Sequence, residues 1–147
     1  MYSAANGESL TREECLRLLR RTTVGRLVFT TGALPAIRPV RFGVDADAIV
    51  IRVATGSPLA AAATGAVVAF EADEIHTDLP GGWTVVVTGT AELVDNPAEL
   101  RRIGQLGLES WEPSGPDGFL RIPATVVSGR RMRPANSQDL CEAGSGD

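Results

Sequence analysis

Turn-forming residues divide this chain into short stretches that are rich in β-branched and other apolar residues. Stretches of this kind, bounded by glycine, proline, asparagine or aspartate, are typical of β-strands. Six of them can be assigned, at residues 25–31, 35–44, 48–54, 66–72, 83–94 and 118–128. Their hairpin-like spacing favours an antiparallel sheet, closed or partly closed into a barrel, over a doubly wound fold. We therefore predict a mainly β (α+β) protein with six antiparallel strands, and we expect Gly89 to mark a bulge in the fifth.

Three short helices are predicted before and between these strands. Residues 11–14 read Thr-Arg-Glu-Glu, which has the spacing of a capping box for a helix over residues 10–21. Residues 57–58 (Ser-Pro) and 96–97 (Asn-Pro) each offer a capping side chain followed by proline at the first helical position. We expect a short helix to begin at each of these pairs.

The size and composition are those of one ordinary globular domain. The chain has 147 residues, of which 44% are hydrophobic and 22% are charged. Residues 10–133 are predicted to form the domain, with a flexible N-terminus at residues 1–9 and a disordered C-terminal tail at residues 134–147. The N-terminus has no signal-peptide core, and no apolar run approaches the roughly 20 residues of a membrane-spanning helix. We therefore expect a cytoplasmic protein.

The charged residues exclude several classes of partner and of chemistry. The net charge of −4 gives no reason to expect nucleic acid or an anionic membrane as the main partner. All 14 basic residues are arginine, so a Schiff-base lysine, a Walker lysine and a lysine general base are excluded. His76 is the only histidine, and Cys15 and Cys141 have no metal-ligand spacing, so we predict no metal site. No side chain stands out as an obligatory catalytic acid or base.

Arg52 is the residue with the clearest chemical meaning. It lies inside the apolar run of residues 48–54, and the predicted helix start at Ser57 follows within a few residues. A guanidinium, a hydroxyl and free helix N–H groups placed close together are the donors of a typical phosphate-binding site. Local sequence alone slightly favours a simpler interpretation, in which Arg52 pairs with an acid on the next strand, such as Glu71. Glu71 and Asp73 lie on one strand face, where we predict a salt bridge to arginines of adjacent strands.

The order of several short motifs resembles a known family. In chain order these motifs are Val24-Gly25-Arg26-Leu27, Pro39-Val40-Arg41-Phe42, Ile51-Arg52, Ser57-Pro58-Leu59-Ala60-Ala61-Ala62, Val68-Ala69-Phe70-Glu71-Ala72-Asp73, Gly82-Trp83-Thr84-Val85-Val86-Val87-Thr88-Gly89, and Arg121-Ile122-Pro123 with Gly129-Arg130-Arg131. The series resembles the pyridoxamine 5'-phosphate oxidase-like proteins with the FMN-binding split barrel. It is most similar to the branch that shades into nitroimidazole-resistance and deazaflavin-dependent proteins. The resemblance implies a six-stranded antiparallel split β-barrel with short flanking helices.

The same resemblance implies a homodimer that binds FMN in a cleft between its subunits. The strand arginine, Arg52, would hold the flavin phosphate together with the helix start at Ser57. The backbone of residues 39–42 would run along the isoalloxazine ring, and a large side chain such as Trp83 or Trp111 would help to close the cleft. The cofactor-binding residues implied in this way are Pro39, Val40, Arg41, Phe42, Arg52, Val53, Ser57, Pro58, Leu59, Trp83 and Trp111.

Three positions depart from the family pattern. Val53 stands where the family usually has threonine, and Pro58 where it usually has lysine, so two phosphate donors are absent. A charge-assisted hydrogen bond contributes roughly 1.5–3 kcal/mol, so the missing lysine alone corresponds to about a tenfold weaker anion affinity or more. Arg41 replaces a common asparagine. It could turn toward the anion and compensate, or it could fill the ring site and block it.

Three functions are compatible with these features. The first is a flavin-dependent oxidoreductase, in which FMN transfers hydride or electrons to an unidentified small molecule. The second keeps the fold but uses the deazaflavin F420, whose longer anionic tail would engage more arginines. The third is a non-catalytic split-barrel dimer with a weakened or lost cofactor site, which Val53 and Pro58 favour.

Overall fold

The computed structural model describes residues 7–77, 81–109 and 117–132 of the chain. The helices in these ranges are α1 (Arg12–Arg20), α2 (Pro58–Ala63) and α3 (Pro97–Gly104). The strands are β1 (Glu8–Ser9), β2 (Val24–Thr31), β3 (Leu34–Arg41), β4 (Gly43–Asp45), β5 (Ala48–Ala54), β6 (Val67–Ile75), β7 (Gly82–Thr90), β8 (Glu92–Val94), β9 (Asp117–Pro123) and β10 (Val126–Met132). Trp111 and the predicted tail at residues 134–147 lie outside the described residues.

The strands form two antiparallel sheets. Among the described residues, one sheet has six strands in the order β1-β10-β7-β6-β2-β3, and the other has four in the order β4-β5-β9-β8. Glu8 and Ser9, which belong to the predicted N-terminal segment, pair as β1 with Arg131 and Arg130 of β10. The mainly β architecture with a few short helices is as the sequence predicts.

Three of the predicted strands each divide into two, because the chain passes from one sheet to the other part-way along them. The second predicted strand becomes β3 and β4, with a break at Phe42. The fifth becomes β7 and β8, with a break at Ala91, and the sixth becomes β9 and β10, with a break at residues 124–125. β3, β7 and β10 lie in the six-stranded sheet, whereas β4, β8 and β9 lie in the four-stranded sheet. The three crossings connect the two sheets as expected for a partly closed barrel.

Gly89 packs against one of these crossings and does not form the predicted bulge. The pairing of β6 with β7 runs through Gly89 without interruption, with Val68 directly opposite. A Cβ at this position would collide with the backbone carbonyl oxygen of Pro123, at the end of β9. The prediction of a bulge was therefore wrong, and the glycine serves the close approach of two backbones.

Side chains cap two of the helices where the sequence predicts. At α1 the Thr11 hydroxyl accepts a hydrogen bond from the Glu14 N–H at 3.2 Å, and the Glu14 carboxylate accepts one from the Thr11 N–H at 3.1 Å. At α3 the Asn96 side chain accepts hydrogen bonds from the N–H groups of Ala98 and Glu99. These contacts satisfy N–H groups that have no partner inside the helix, and they confirm both predicted helix starts.

Two hydrophobic clusters hold the sheets and helices together. The larger cluster contains residues of α1, α2 and both sheets, and the rings of Phe42 and Phe70 meet within it with centroids 4.6 Å apart. The smaller cluster lies beside α3 and consists of Val50, Val94, Ile103 and Phe119, with Leu100 and Leu108 packed against it. No helix in the described part of the chain is long and apolar enough to cross a membrane.

Candidate functional site

Arg52 lies on β5, an inner strand of the four-stranded sheet, opposite Phe119 of β9. Side chains of a strand alternate between its two faces, so Arg52 shares a face with Val50, which belongs to the cluster beside α3. The guanidinium is partly buried, and its Nη1 donates a hydrogen bond to the carbonyl oxygen of Leu108 at 3.2 Å. Val53 faces the other way and is 1% exposed in the larger cluster.

The start of α2 follows β5 directly. The Ser57 N–H donates to the carbonyl oxygen of Ala54, the last residue of β5, at 3.1 Å. The Ser57 hydroxyl accepts a hydrogen bond from the Ala60 N–H at 3.2 Å, and Pro58 occupies the first turn. Leu59 is buried, so its side chain contributes to the core. The predicted helix start is confirmed. It places the capping serine, Ser57, three residues after the last residue of the strand that carries Arg52.

Residues 39–42, expected to run along a flavin ring, form the end of β3 and the crossing to β4. Val40 and Phe42 are buried, and the Phe42 N–H donates to the Thr23 carbonyl oxygen at 3.0 Å. Arg41 and Pro39 point to the surface, where the Arg41 guanidinium forms an ion pair with Glu109 at 3.2 Å. The segment therefore has a fixed backbone with one exposed cation.

A cavity of about 260 Å³ lies beside this crossing. It is enclosed by the end of α1, the crossing from β3 to β4, and the segment that follows α3. Its lining residues are Leu19, Arg20, Thr22, Thr23, Arg41, Phe42, Gly43, Val44, Leu106, Gly107, Leu108 and Glu109. Two predicted site residues, Arg41 and Phe42, are among them. Arg52 is connected to the same wall through the carbonyl of Leu108.

The segment of residues 106–109 is the part of this site that sequence reasoning missed. The Leu108 carbonyl accepts a hydrogen bond from Arg52, and the Glu109 carboxylate pairs with Arg41. Gly43 leaves room for it, since a Cβ there would lie only 3.1 Å from Leu108 Cδ2. An ion pair of 3.1 Å between Arg102 and Asp45 fixes the end of α3 to β4. No local sequence pattern predicts these contacts, because they join positions far apart in the chain.

The match to a family model decides the relationship of this chain to known proteins. Residues 11–131 match the model described as pyridoxamine 5'-phosphate oxidase. The chain belongs to the pyridoxamine 5'-phosphate oxidase family. The match covers every element from α1 to β10 except the last residue of β10, and with it the expected resemblance and the split-barrel fold are confirmed.

This family member is similar to two solved FAD-binding proteins and to one sequence relative. An FAD-binding protein from Mycobacterium smegmatis is 32% identical, with a TM-score of 0.74 over 86% of this chain and 100% of that chain. An FAD-binding protein from Mesorhizobium loti has a TM-score of 0.64 over 84% of this chain and 96% of that chain; at 24% identity it shows the fold alone. The uncharacterized protein Rv0080 from Mycobacterium tuberculosis is 37% identical over 135 residues, which is 88% of each chain.

Of the two tryptophans of this family member, Trp83 lies in the described part of the chain and does not line the cavity. Trp83 is 5% exposed, lies in the larger cluster, and donates a hydrogen bond from its indole nitrogen to Glu74 Oε2 at 3.2 Å. Trp111 lies outside the described residues. A role for either ring in closing a cofactor cleft stays a prediction.

A second charged cluster lies in the six-stranded sheet of this pyridoxamine 5'-phosphate oxidase family member. Arg26 Nη1 lies 2.9 Å from Asp73 Oδ2 and 3.4 Å from Glu71 Oε2. The predicted salt bridge is confirmed, and Arg26 rather than Arg52 is the arginine that pairs with Glu71. Burial and the neighbouring Asp73 carboxyl raise the pKa of Glu71 to about 7, against the opposing effect of Arg26. Within residues 7–77, 81–109 and 117–132, no three metal-binding side chains form a group.

Proposed function

We propose that this protein is a flavin-dependent oxidoreductase that binds FMN or FAD and passes hydride or electrons to a small molecule. The observation that carries the proposal is the similarity to the FAD-binding protein of Mycobacterium smegmatis, at 32% identity over that chain's full length. A bound flavin would supply the redox chemistry, and the protein would supply binding, orientation and exclusion of water. FMN and FAD share the isoalloxazine ring and the ribityl phosphate, so the same side chains would serve either cofactor.

Arg52 is the residue we assign to the ribityl phosphate. A guanidinium has five N–H donors in a planar fork that matches phosphate oxygens, and the Leu108 carbonyl holds Nη1 of this fork in place. Partial burial reduces the screening of its charge by water and salt. Ser57 would add a hydroxyl donor from the start of α2, while its oxygen caps the Ala60 N–H.

The position of Val53 removes one objection to a phosphate site. Its side chain lies in the core, on the face of β5 opposite Arg52. A hydroxyl at position 53 would therefore also face the core. The presence of valine instead of threonine thus removes no hydrogen-bond donor from the face that carries Arg52. Pro58 still lacks the charge of a lysine, so Arg52 would be the main cation for the phosphate.

We also propose that two copies of the chain share the cofactor site. The cavity of about 260 Å³ is smaller than the roughly 300–1,000 Å³ of typical ligand pockets. The described cavity is thus too small to enclose a flavin, so the ring would lie outside it along the residue 39–42 segment, and a second copy would complete the cleft. The closed dimer that results is the commonest symmetry of soluble oligomers.

The outer face of the six-stranded sheet is the surface that suits this dimer. Strand register aligns Ile37, Val28, Ala69, Thr88 and Val126 in one row across five strands. The row beside it contains Pro39, Arg26, Glu71, Val86 and Ser128. Four large apolar side chains on this face are well exposed, namely Ile37 (69%), Val67 (69%), Ile75 (60%) and Val126 (59%). A broad face with several well-exposed large apolar side chains is typical of an interaction surface.

Spectroscopy of the purified protein tests the cofactor. We expect the absorbance bands of an oxidised flavin, either as purified or after addition of FMN or FAD, and mass spectrometry of the released cofactor identifies which one is bound. Titration with F420 provides the deazaflavin comparison. A protein that binds none of the three would contradict the proposed function and favour the non-catalytic alternative.

A further inference from the structure

The cavity beside the β3–β4 crossing has room for a molecule other than the flavin phosphate. Arg52 and Ser57, assigned to the phosphate, are not among its lining residues, whereas Arg41 and Phe42 of the ring segment are. The cavity therefore lies next to the expected position of the ring, and Arg52 meets the outside of its wall at the Leu108 carbonyl without lining it. A reactant of a flavin has to meet the ring, so this is where a substrate would be held.

The wall of the cavity combines apolar surface with charged side chains. Leu19, Phe42, Val44, Leu106 and Leu108 supply the apolar side chains, and Thr22 and Thr23 supply the hydroxyl-bearing ones. Its charged residues are Arg20, Arg41 and Glu109.

The two arginines of the wall differ in how they are held. Arg20 donates to the carbonyl oxygen of Ala46 at 3.0 Å and lies 3.9 Å from Asp47. Arg41 pairs instead with Glu109, which lines the same cavity. Arg41 is thus the cation that shares the cavity with its own counter-ion.

The ion pair between Arg41 and Glu109 is one that a ligand can replace. The two side chains are 41% and 72% exposed, and exposed ion pairs contribute little to stability. Glu109 also lies on a short segment after Gly107, whose φ of +67° marks a turn rather than a helix. A ligand anion that also brings apolar contacts would compete well with this carboxylate for the planar fork of Arg41.

We infer that the cavity binds a small organic molecule that carries an anionic group beside an apolar or aromatic part, with Arg41 holding the anion in place of Glu109. As a substrate site this inference rests on the proposed flavin function. As a binding site for an organic anion it stands without the flavin. Arg41 then neither completes the phosphate site nor blocks the ring, which resolves the two roles that its sequence position left open.

A pair of matched probes, benzoate and benzyl alcohol, tests the inference in the full chain without added flavin. The two molecules have nearly the same shape and differ in the anionic group. Titrations followed by ¹H–¹⁵N NMR should show benzoate binding at least about fivefold more tightly than benzyl alcohol. Arg41→Gln should remove this preference. Glu109→Gln should raise benzoate affinity roughly two- to fivefold and leave benzyl alcohol unchanged. Arg38→Gln, on the same strand but outside the cavity wall, is the matched control and should behave as wild type.

The outcomes separate this inference from the proposed function. Equal affinity for the two probes, no binding of either at millimolar concentration, or a benzoate preference that survives Arg41→Gln would overturn the anion site. Because Arg41→Gln and Glu109→Gln change the affinity in opposite directions, a folding defect in one variant does not hide the result. A wild-type protein that prefers benzoate but binds no flavin would support the site while removing the oxidoreductase function.

Discussion

The guanidinium of Arg52 donates a hydrogen bond to the backbone carbonyl of Leu108, 3.2 Å away and 56 positions later in the chain. This contact brings the segment after α3 onto the inner strand that carries the candidate phosphate ligand. One residue further along, Glu109 pairs with Arg41. The same four-residue segment therefore reaches both the proposed phosphate ligand and the proposed anion ligand of the cavity.

Removal of two of the three helix caps, Ser57 and Asn96, separates a stabilising role from a binding role. Ser57→Ala and Asn96→Ala each delete a side-chain acceptor at a helix start, and each should lower the free energy of unfolding by about 1 kcal/mol. Only Ser57→Ala should also weaken FMN binding, because only Ser57 lies next to the strand of Arg52. Chemical denaturation and FMN titration of both variants check this. Equal FMN affinity in the two variants would mean that Ser57 is a cap and nothing more.

Dimer formation through the outer face of the six-stranded sheet is tested by two equally exposed residues of β3. Ile37 is 69% exposed on that face. Leu34, the first residue of β3, is 68% exposed, but its side chain belongs to the opposite face of the strand. Ile37→Glu would bury a charge twice in a two-fold interface, so it should raise the dimer dissociation constant on the order of a hundredfold. Leu34→Glu should leave the constant unchanged. Light scattering at several protein concentrations measures both, and a monomeric wild type would refute the proposed interface.

The close approach of Gly89 to the backbone at the end of β9 predicts a large effect of one methyl group. Gly89→Ala would force a Cβ against the carbonyl oxygen of Pro123, and we expect it to destabilise the fold by about 1–3 kcal/mol. Gly104→Ala is the control, since no heavy atom lies within 4 Å of a Cβ there and the residue ends α3. That variant should be neutral or stabilising by up to about 1 kcal/mol. Similar melting temperatures for the two variants would contradict the described packing of β7 on β9.

The raised pKa of Glu71 predicts how stability depends on pH. The pKa is about 7 in the folded chain against an ordinary value of 4.5, so between these values the folded state holds a proton that the unfolded state has released. The contribution of Glu71 is therefore fully present below pH 4.5 and is lost as pH rises through about 7. Glu71→Gln imitates the protonated form, and its free energy of unfolding should fall less than that of wild type between pH 5 and pH 8. Parallel pH dependences in the two proteins would show that Glu71 titrates normally.

Local interactions explain the parts of the fold that the sequence predicts well. Thr11 with Glu14, Ser57 with Pro58, and Asn96 cap their helices through contacts within a few residues, so the pattern and the structure agree. Turn residues that bound stretches rich in β-branched residues likewise locate the strands, because both signals act within a few positions.

Long-range packing decides what the sequence does not show. The breaks at Phe42 and Ala91 arise because the chain changes sheets there, and nothing in the local pattern of β-branched residues differs on the two sides. The sequence predicted an arginine of an adjacent strand as the partner of Glu71, but it identified neither Arg26 as that arginine nor Leu108 as a partner of Arg52, because these residues meet only in the folded chain. The role of Arg52 as a phosphate ligand stays a prediction, and sequence reasoning missed the segment of residues 106–109 that contacts it.

Titration of FMN and riboflavin into wild type and Arg52→Ala tests the proposed phosphate site most directly, because the two ligands differ only in the phosphate. Loss of a charge-assisted hydrogen bond of roughly 1.5–3 kcal/mol should weaken FMN about ten- to hundredfold in Arg52→Ala and leave riboflavin almost unchanged. Arg52→Lys should restore FMN binding only in part, since an ammonium lacks the planar fork. If wild type binds neither ligand, or if Arg52→Ala binds FMN as wild type does, the assignment of Arg52 to the flavin phosphate is contradicted.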